Sequence, residues 1–227
     1  MIGDPREAVV RLMALVPALV LHEFAHGYSA YRMGDPTPKA QGRLTLNPLA
    51  HLDPIGTLMI IFAPIGWAKP VQVNPYNFRD PAKGMMISTA CGPLSNIAQA
   101  IFWGLILRVL IVANMDNLEF LEGNILVAFL AMAVLINFVL ALFNLIPLGP
   151  LDGHHILQYF LPYRRQVEYT HFNRQYGMIM LVVLLAIPYV FDGPNILAYI
   201  VFYPAVFLGS MVIGWPLYGV LGAGLGI

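Results

Sequence analysis

The chain has 227 residues, of which 59% are hydrophobic and only 11% are charged, and its formal net charge is zero. Soluble domains carry about 25% charged residues, so this composition, with a mean hydropathy of +0.71, excludes an ordinary soluble domain and predicts an integral membrane protein. Twelve basic residues balance twelve acidic ones without forming a basic stripe, which argues against a nucleic-acid partner, and the single Cys91 excludes an internal disulfide.

The first apolar run covers residues 8–31 and is long enough for a membrane-spanning helix. A helix of about 24 residues is roughly 36 Å long, more than the roughly 30 Å hydrocarbon core of a bilayer. A removable signal peptide is the alternative, but the run has no convincing cleavage site with small residues. The sequence Gly-Asp-Pro-Thr-Pro at residues 34–38 ends the predicted helix.

Residues 22–26 of this helix read His-Glu-Phe-Ala-His. Four residues advance an α-helix by just over one turn, so His22 and His26 share one face and can bind one divalent cation. Zinc lowers the pKa of its water to about 7, which supplies hydroxide at neutral pH. Glu23 lies within reach of that water, and we expect it to act as general base and then to protonate the leaving amine.

A coincidental pair of histidines, each satisfied by hydrogen bonds, is the alternative interpretation. Arg11 is the only charged residue between positions 8 and 20, so the motif lies deep in a membrane-length segment. An ionisable residue at the bilayer centre costs about 2.5–3.5 kcal/mol on insertion scales. Three such residues within five positions favour a common function, and a bound metal supplies one.

The polar stretch after the first helix is expected to hold a short β or re-entrant element. Residues 43–46 alternate between polar and apolar side chains, which predicts a short strand. The apolar stretch 55–68 is about 14 residues long, which is short for a span, so we expect it to re-enter or to lie at the interface.

Four later apolar runs complete the predicted fold. Residues 84–113 and 124–148 predict spanning helices, and 177–191 with 196–217 predict an out-and-back pair joined by a tight turn. The predicted fold class is therefore an all-α polytopic membrane protein with about five spanning helices. Because no long polar segment could fold separately, we expect a single intramembrane domain over residues 1–227.

Basic residues predict the orientation of the chain. If 55–68 does not cross, nine of the twelve Lys and Arg lie on one side, while the acidic link 114–123 lies on the other. A Lys/Arg excess in short loops marks the cytoplasmic face. We therefore expect a multi-pass plasma membrane protein with its N-terminus outside and its metal site toward the cytoplasm.

A catalytic zinc site usually has three protein ligands, so two histidines leave it one short. Asp152 is the best acidic candidate because it follows the run 124–148 in a segment that Pro147 and Pro150 break. The backbone groups freed by this break must line a cavity or be buried in protein. The break and the histidines fall toward the same side of the membrane, so the three residues can meet.

The chain resembles the site-2 proteases, which are intramembrane zinc metalloproteases. The resemblance rests on His-Glu-x-x-His at 22–26, Gly-Pro-Leu-Ser-Asn at 92–96, Asn-x-x-Pro at 144–147 and Leu-Asp-Gly at 151–153. Residues 47–56 are similar to the compact bacterial and archaeal branch, without PDZ or regulatory domains. The resemblance implies one Zn²⁺ per chain held by His22, His26 and Asp152, with Glu23 as catalytic acid and base.

Other polar residues near these motifs are candidates for supporting roles. Asn144 is the candidate oxyanion donor, a role worth about 2.7–4 kcal/mol. Asn96 is a weaker candidate, with an amide that packs helices as the alternative. His51 could cap the metal in a resting state, although hydrogen bonding in a turn is the simpler expectation. Three ligands and a water complete a catalytic site, so His154 and His155 are expected to lie outside the ligand set.

These features predict an intramembrane zinc endopeptidase that cleaves single-span membrane proteins, as in regulated intramembrane proteolysis. A metal transporter and a non-proteolytic metal-binding scaffold are the alternatives. Transport needs polar residues along a path through the bilayer, whereas these cluster at one depth. The intact Glu23 argues against the scaffold. We expect the lipid bilayer and protein substrates, and no nucleic acid, as partners.

Overall fold

The structure is a computed structural model that describes residues 5–53, 56, 68–190 and 193–225. Its α-helices within these residues are α1 (Pro5–Arg32), α2 (Thr37–Ala40), α3 (Pro81–Ala113), α4 (Ile125–Asn144), α5 (Asp152–Phe160), α6 (Tyr163–Val190), α7 (Tyr203–Ile213) and α8 (Leu217–Leu225). A π-helical turn, Ala198–Phe202, precedes α7. Short 3₁₀ turns lie at Pro48–Ala50, Pro75–Asn77 and Leu118–Leu121. The expected all-helical class is confirmed.

Three of the described helices, α1, α3 and α4, are long and apolar enough to cross a membrane. Ala198–Ile213 and Leu217–Leu225 pass the same criterion together and would make a fourth span, although they are bent by 84°. The described helices thus fall short of the expected five. Of the run 177–191, residues 177–190 are the apolar half of α6, whose first half is polar. The run 196–217 is interrupted where Gly214 ends α7 with φ +80°.

The strand expected at 43–46 is wrong, because the described residues contain no strand and only one isolated bridge, between Leu52 and Ala68. The alternating residues find other partners. The Arg43 guanidinium donates to the carbonyls of Ala50 and Lys69, and His51 Nε2 lies 2.8 Å from the Thr45 carbonyl. The element expected at 55–68 lies outside the described residues, apart from its Gly56 and Ala68 positions.

Helix α4 forms the centre of the bundle, because it is apolar apart from Asn137 and Asn144 and packs against α1, α3, α7 and α8. Glycines of neighbouring helices allow close approach. A Cβ at Gly224 would lie 2.6 Å from the Ala128 amide nitrogen, and one at Gly209 would lie 3.1 Å from Val134 Cγ1. Small residues at such contacts are how helices associate in membranes, where the hydrophobic effect between them is absent. These glycines let α7 and α8 pack closely against α4.

Asp35 ties the end of α1 to the segment that leads into α3. Its buried carboxylate accepts hydrogen bonds from Thr37 N and Oγ1, from Asn74 N and from Asn77 Nδ2, at 2.6–3.0 Å. Burial alone would raise the pKa of the Asp35 carboxyl, but the bonds from Thr37, Asn77 and Asn74 outweigh it and lower that pKa. The carboxylate therefore stabilises the connection between two helices of the site.

Side chains of α6 hydrogen-bond the backbone of the proline-broken segment between α4 and α5. The Tyr169 hydroxyl donates to the Pro147 carbonyl at 2.7 Å, and the Gly149 N–H donates to Asn173 Oδ1 at 2.8 Å. Gly177 permits the close approach, since a Cβ there would lie 2.5 Å from the Gly149 oxygen. Asp152 follows this segment and begins α5.

Candidate metal centre

Three potential ligand atoms from α1 and α5 face one another in the bundle. His22 Nε2 lies 3.0 Å from His26 Nε2, and Asp152 Oδ2 lies 3.3 Å from each of them. The histidines are buried, and no described group donates a hydrogen bond to this carboxylate oxygen. Among the described residues, this is the group of His, Cys, Asp and Glu side chains that could hold a metal ion.

The proton of His26 is assigned by a backbone carbonyl. His26 Nδ1 lies 2.8 Å from the Ser88 oxygen, which can only accept a hydrogen bond. A neutral imidazole carries one proton, so that proton is on Nδ1 and the lone pair on Nε2 points toward His22 and Asp152. Such a bond from the remote nitrogen is typical of metal-ligating histidines.

Asn96 assigns the proton of His22 in the same way. Its Oδ1 lies 2.6 Å from His22 Nδ1, and its Nδ2 donates to the Ala18 carbonyl at 3.1 Å and to Asn137 Oδ1 at 2.9 Å. The oxygen of the amide therefore faces His22 and accepts the Nδ1 proton. When both histidines are neutral, their Nε2 lone pairs and the Asp152 carboxylate oxygen meet without a proton between them.

This donor set fits zinc. Four ligands arranged tetrahedrally at about 2.0–2.1 Å are about 3.3–3.4 Å apart, and the three observed separations are 3.0, 3.3 and 3.3 Å. Two imidazole nitrogens and one carboxylate oxygen also match the ligand types of catalytic zinc sites. Three facing acceptors repel one another, so a cation between them would relieve an unfavourable arrangement.

Asp152 supplies the negative charge of the site. Burial alone would raise the pKa of its carboxyl, but the imidazoles of His22 and His26, when either carries a proton on Nε2, outweigh burial and lower that pKa to about 2. Asp152 is thus ionised at neutral pH, as metal ligation requires. Gly153 lets α5 begin against the end of α4, because a Cβ there would lie 2.2 Å from the Leu145 oxygen.

Glu23 is buried beside the histidines, and its carboxylate is held by the backbone of a distant segment. Its Oε2 accepts a hydrogen bond from the Val71 N–H at 2.8 Å. The same segment is anchored by the Lys69 N–H, which donates to the His51 carbonyl at 2.7 Å.

Comparison with known proteins agrees with this geometry. Residues 108–187, which include α4, the broken segment and Asp152, match the model of peptidase family M50. The chain is 41% identical over 178 residues to "Putative zinc metalloprotease YwhC" of Bacillus subtilis, an alignment that covers 78% of this chain and 80% of that protein. The chain belongs to peptidase family M50.

Two less similar relatives carry similar names. The chain is 30% identical to "Putative zinc metalloprotease Rip2" of Mycolicibacterium smegmatis and 29% identical to that of Mycobacterium tuberculosis, over 75% of this chain and 64% of each relative. No solved structure matches the chain. The protein is thus a membrane-embedded zinc metalloprotease of the site-2 protease type, as the sequence motifs predict.

His51, His154 and His155 are not part of the ligand group of this M50 protease. His51 is fully buried and bonds the turn carbonyl of Thr45, which is the simpler of its two expected roles. His154 packs its ring against His155 and Tyr169. Burial and the neighbouring His155 lower the pKa of His154 to about 4. Burial also lowers the pKa of His155, partly offset by Asp152 and Gln158, so both are neutral at pH 7.

The two asparagine candidates differ in what their amides contact. Asn144 donates to the Leu140 carbonyl at 2.9 Å, and its expected role as oxyanion donor stays a prediction. Asn96 commits both amide protons to Ala18 and Asn137, which leaves none for an oxyanion. Its contact is with His22 instead.

Two residues that shape the metal centre, Asn137 and Gly92, are not identified as site residues by the sequence motifs. Asn137 is 1% exposed and accepts a hydrogen bond from Asn96. Its position as a polar residue inside the otherwise apolar run of α4 is the sequence feature that indicates a special role. Gly92 was noted only as part of a motif. A Cβ at this position would lie 2.2 Å from His26 Nε2, so the absent side chain leaves the space in which the histidines sit.

Proposed function

We propose that this M50 protease is an intramembrane endopeptidase that hydrolyses peptide bonds in or near transmembrane segments, with one zinc ion held by His22, His26 and Asp152. The observation that carries the proposal is the triangle of three ligand atoms with separations of 3.0–3.3 Å. Hydrogen bonds to Asn96 and Ser88 turn both imidazole lone pairs into it.

Glu23 is the proposed general base and acid. When bound, zinc supplies Lewis acidity and lowers the pKa of its water to about 7. The Val71 N–H holds Glu23 Oε2 in place, so the carboxylate is oriented while its other oxygen takes a proton from water and later returns it to the leaving amine. This bond supports the proposal because a preorganised base loses no rotational freedom during the reaction.

Asn144 is the proposed donor to the oxyanion that forms during hydrolysis. It ends α4 immediately before the broken segment that leads to Asp152. The Leu140 carbonyl takes one of its two amide protons, and the other can be donated. A donor of this kind acts mainly on the transition state, since the charge develops only there.

The proposed substrates are single-span membrane proteins of the plasma membrane, cut near its cytoplasmic face. His22 and His26 lie in the C-terminal half of α1, toward Arg32 and the basic residues that follow it. A Lys/Arg excess marks the cytoplasmic side. Cleavage there would let water and the unwound substrate meet at the polar end of the helix bundle.

Metal analysis and a cleavage assay on purified protein test the proposal. We expect about one zinc per chain in the wild type and in Glu23→Gln, and much less in Asp152→Ala, because two ligands hold zinc poorly. Glu23→Gln should lose cleavage of single-span substrates by about 10²–10⁴-fold. Full zinc occupancy in Asp152→Ala would overturn the ligand set. Undiminished cleavage in Glu23→Gln would overturn the role of the base, and a wild type without any cleavage would favour a scaffold or a transporter.

A further inference from the structure

A chain of buried hydrogen bonds crosses the bundle from α4 through α3 to α1 and ends on His22. Asn137 Nδ2 donates to the Ala133 carbonyl at 2.9 Å, and Asn96 Nδ2 donates to Asn137 Oδ1 at 2.9 Å. Asn96 Oδ1 then lies 2.6 Å from His22 Nδ1. Asn96 and Asn137 are 0% and 1% exposed, so these amides depend on one another rather than on water.

The direction of this chain is determined by backbone carbonyls, which can only accept. The Ala133 carbonyl binds the NH₂ end of Asn137, so its oxygen faces Asn96. That oxygen and the Ala18 carbonyl both take protons from Asn96 Nδ2. The oxygen end of Asn96 is therefore left for His22, whose Nδ1 has to carry its proton.

The two zinc ligands on α1 differ in how their protons are placed. The Ser88 carbonyl orients His26 directly, and no side-chain substitution removes it. His22 depends on a side-chain amide, and an amide can rotate by 180° to present nitrogen instead of oxygen. A rotated Asn96 would donate to His22 Nδ1, which would move the proton of His22 to Nε2, between the ligand atoms.

We infer that Asn96 and Asn137 are positioning residues that together keep His22 in the Nδ1–H form, with Nε2 free to bind metal. The inference rests on the proposed function of the site and assigns it an orienting pair. Asn137 touches neither metal nor substrate, and it acts through Asn96. Asn137 Oδ1 is the second acceptor for Asn96 Nδ2, beside the Ala18 carbonyl. A rotated Asn96 would place its own oxygen against Asn137 Oδ1, which makes that state unfavourable.

Zinc affinity measured by chelator competition on the full chain in detergent tests this inference. Partners that orient a ligating histidine are worth about 10–100-fold in metal affinity. We expect Asn96→Ala to weaken zinc binding within that range and Asn137→Ala to weaken it by about tenfold. Because Asn137 acts through Asn96, the double variant should bind no more weakly than Asn96→Ala alone.

Two further variants separate positioning from a loss of packing. Gln99→Leu removes another buried amide of α3, whose polar atoms have no hydrogen-bond partner in the described structure, and should leave zinc affinity unchanged. Asn137→Asp should keep the zinc affinity that Asn137→Ala loses, because a protonated carboxyl can donate to the Ala133 carbonyl and accept from Asn96. Equal losses in Gln99→Leu and Asn137→Ala would overturn the inference.

The ¹⁵N spectrum of histidine in metal-depleted protein reports the tautomer without any bound zinc. We expect His22 in the Nδ1–H form in the wild type, a mixture of both forms in Asn137→Ala, and His26 unchanged in both. An unchanged His22 spectrum together with unchanged zinc affinity in Asn137→Ala would overturn the positioning role. Zinc binding that persists in His22→Ala would instead overturn the proposed metal site, and the inference with it.

Discussion

A methyl group added at residue 92 of α3 is expected to occupy the space of the metal-binding imidazoles. In Gly92→Ala the added Cβ would lie 2.2 Å from His26 Nε2 and 2.8 Å from His22 Cε1. Optimal contacts between carbon atoms are about 3.5–4.0 Å, so the imidazole of His26 or the helix has to retreat by more than about 1 Å. Ligand distances in metal sites are defined to within about 0.2 Å, and the present separations already match tetrahedral zinc.

We therefore expect Gly92→Ala to lower zinc affinity by more than about 100-fold, beyond the effect of losing an outer hydrogen bond. Alanine is about 1 kcal/mol better than glycine inside a helix, while overpacking costs about 1–3 kcal/mol, so the variant should still fold. Chelator competition measures the affinity, and thermal unfolding in detergent checks the fold. Gly219→Ala is the matched control, because a Cβ there has nothing within 4 Å. Wild-type zinc affinity in folded Gly92→Ala would refute the close approach of α3 to the histidines.

Four other measurements test the remaining conclusions. Asn144→Ala should lower turnover by about 10²–10³-fold with zinc content unchanged; an emptied metal site would show that Asn144 supports Asp152 instead. The lowered pKa of the Asp35 carboxyl predicts a stabilising contribution that is present above the unfolded pKa of about 3.9 and is lost as the pH falls through the folded pKa. Asp35→Asn should therefore flatten the acid limb of thermal stability against pH, and an identical limb would contradict this. A reporter fused after Lys83 should lie in the cytoplasm and one within residues 117–122 outside, whereas an outside signal after Lys83 would mean that residues 55–68 cross the membrane. Substrates with Gly, Asn or Pro near the scissile bond should be cut faster than an all-Leu helix, because each carbonyl must leave its i to i−4 hydrogen bond; equal rates with chemistry rate-limiting would rule out unwinding.

The sequence predicts the fold correctly where the length and composition of a single segment are sufficient to identify a helix. The long apolar runs of α1, α3 and α4 are long enough to cross the hydrocarbon core of a bilayer, so composition alone indicates spanning helices. The run 43–46 was misread because an alternating pattern predicts a strand only when a partner strand is available. In the structure, the side chains of Arg43 and His51 satisfy the carbonyls of this region instead.

The polar first half of α6 is a second feature that the pattern of apolar runs does not predict. Residues 177–190 are apolar and resemble the start of a span, but they belong to a helix that begins at Tyr163 and has a polar first half. That helix is not among the described helices that are long and apolar enough to cross a membrane. Its contacts explain why it is there. Tyr169 and Asn173 satisfy the carbonyl of Pro147 and the amide of Gly149, and neither partner can be read from the sequence of α6.

The sequence by itself determined the membrane class and the pairing of His22 with His26, because both depend on properties of one continuous segment. Helical periodicity places residues four apart on one face whatever the rest of the chain does. Only the tertiary structure decided that Asn96 orients His22, that Asn137 orients Asn96, and that the Val71 N–H holds Glu23. These contacts join residues 74, 41 and 48 positions apart. Their geometry depends on how the helices and the segment before α3 pack together, and no local period encodes that packing.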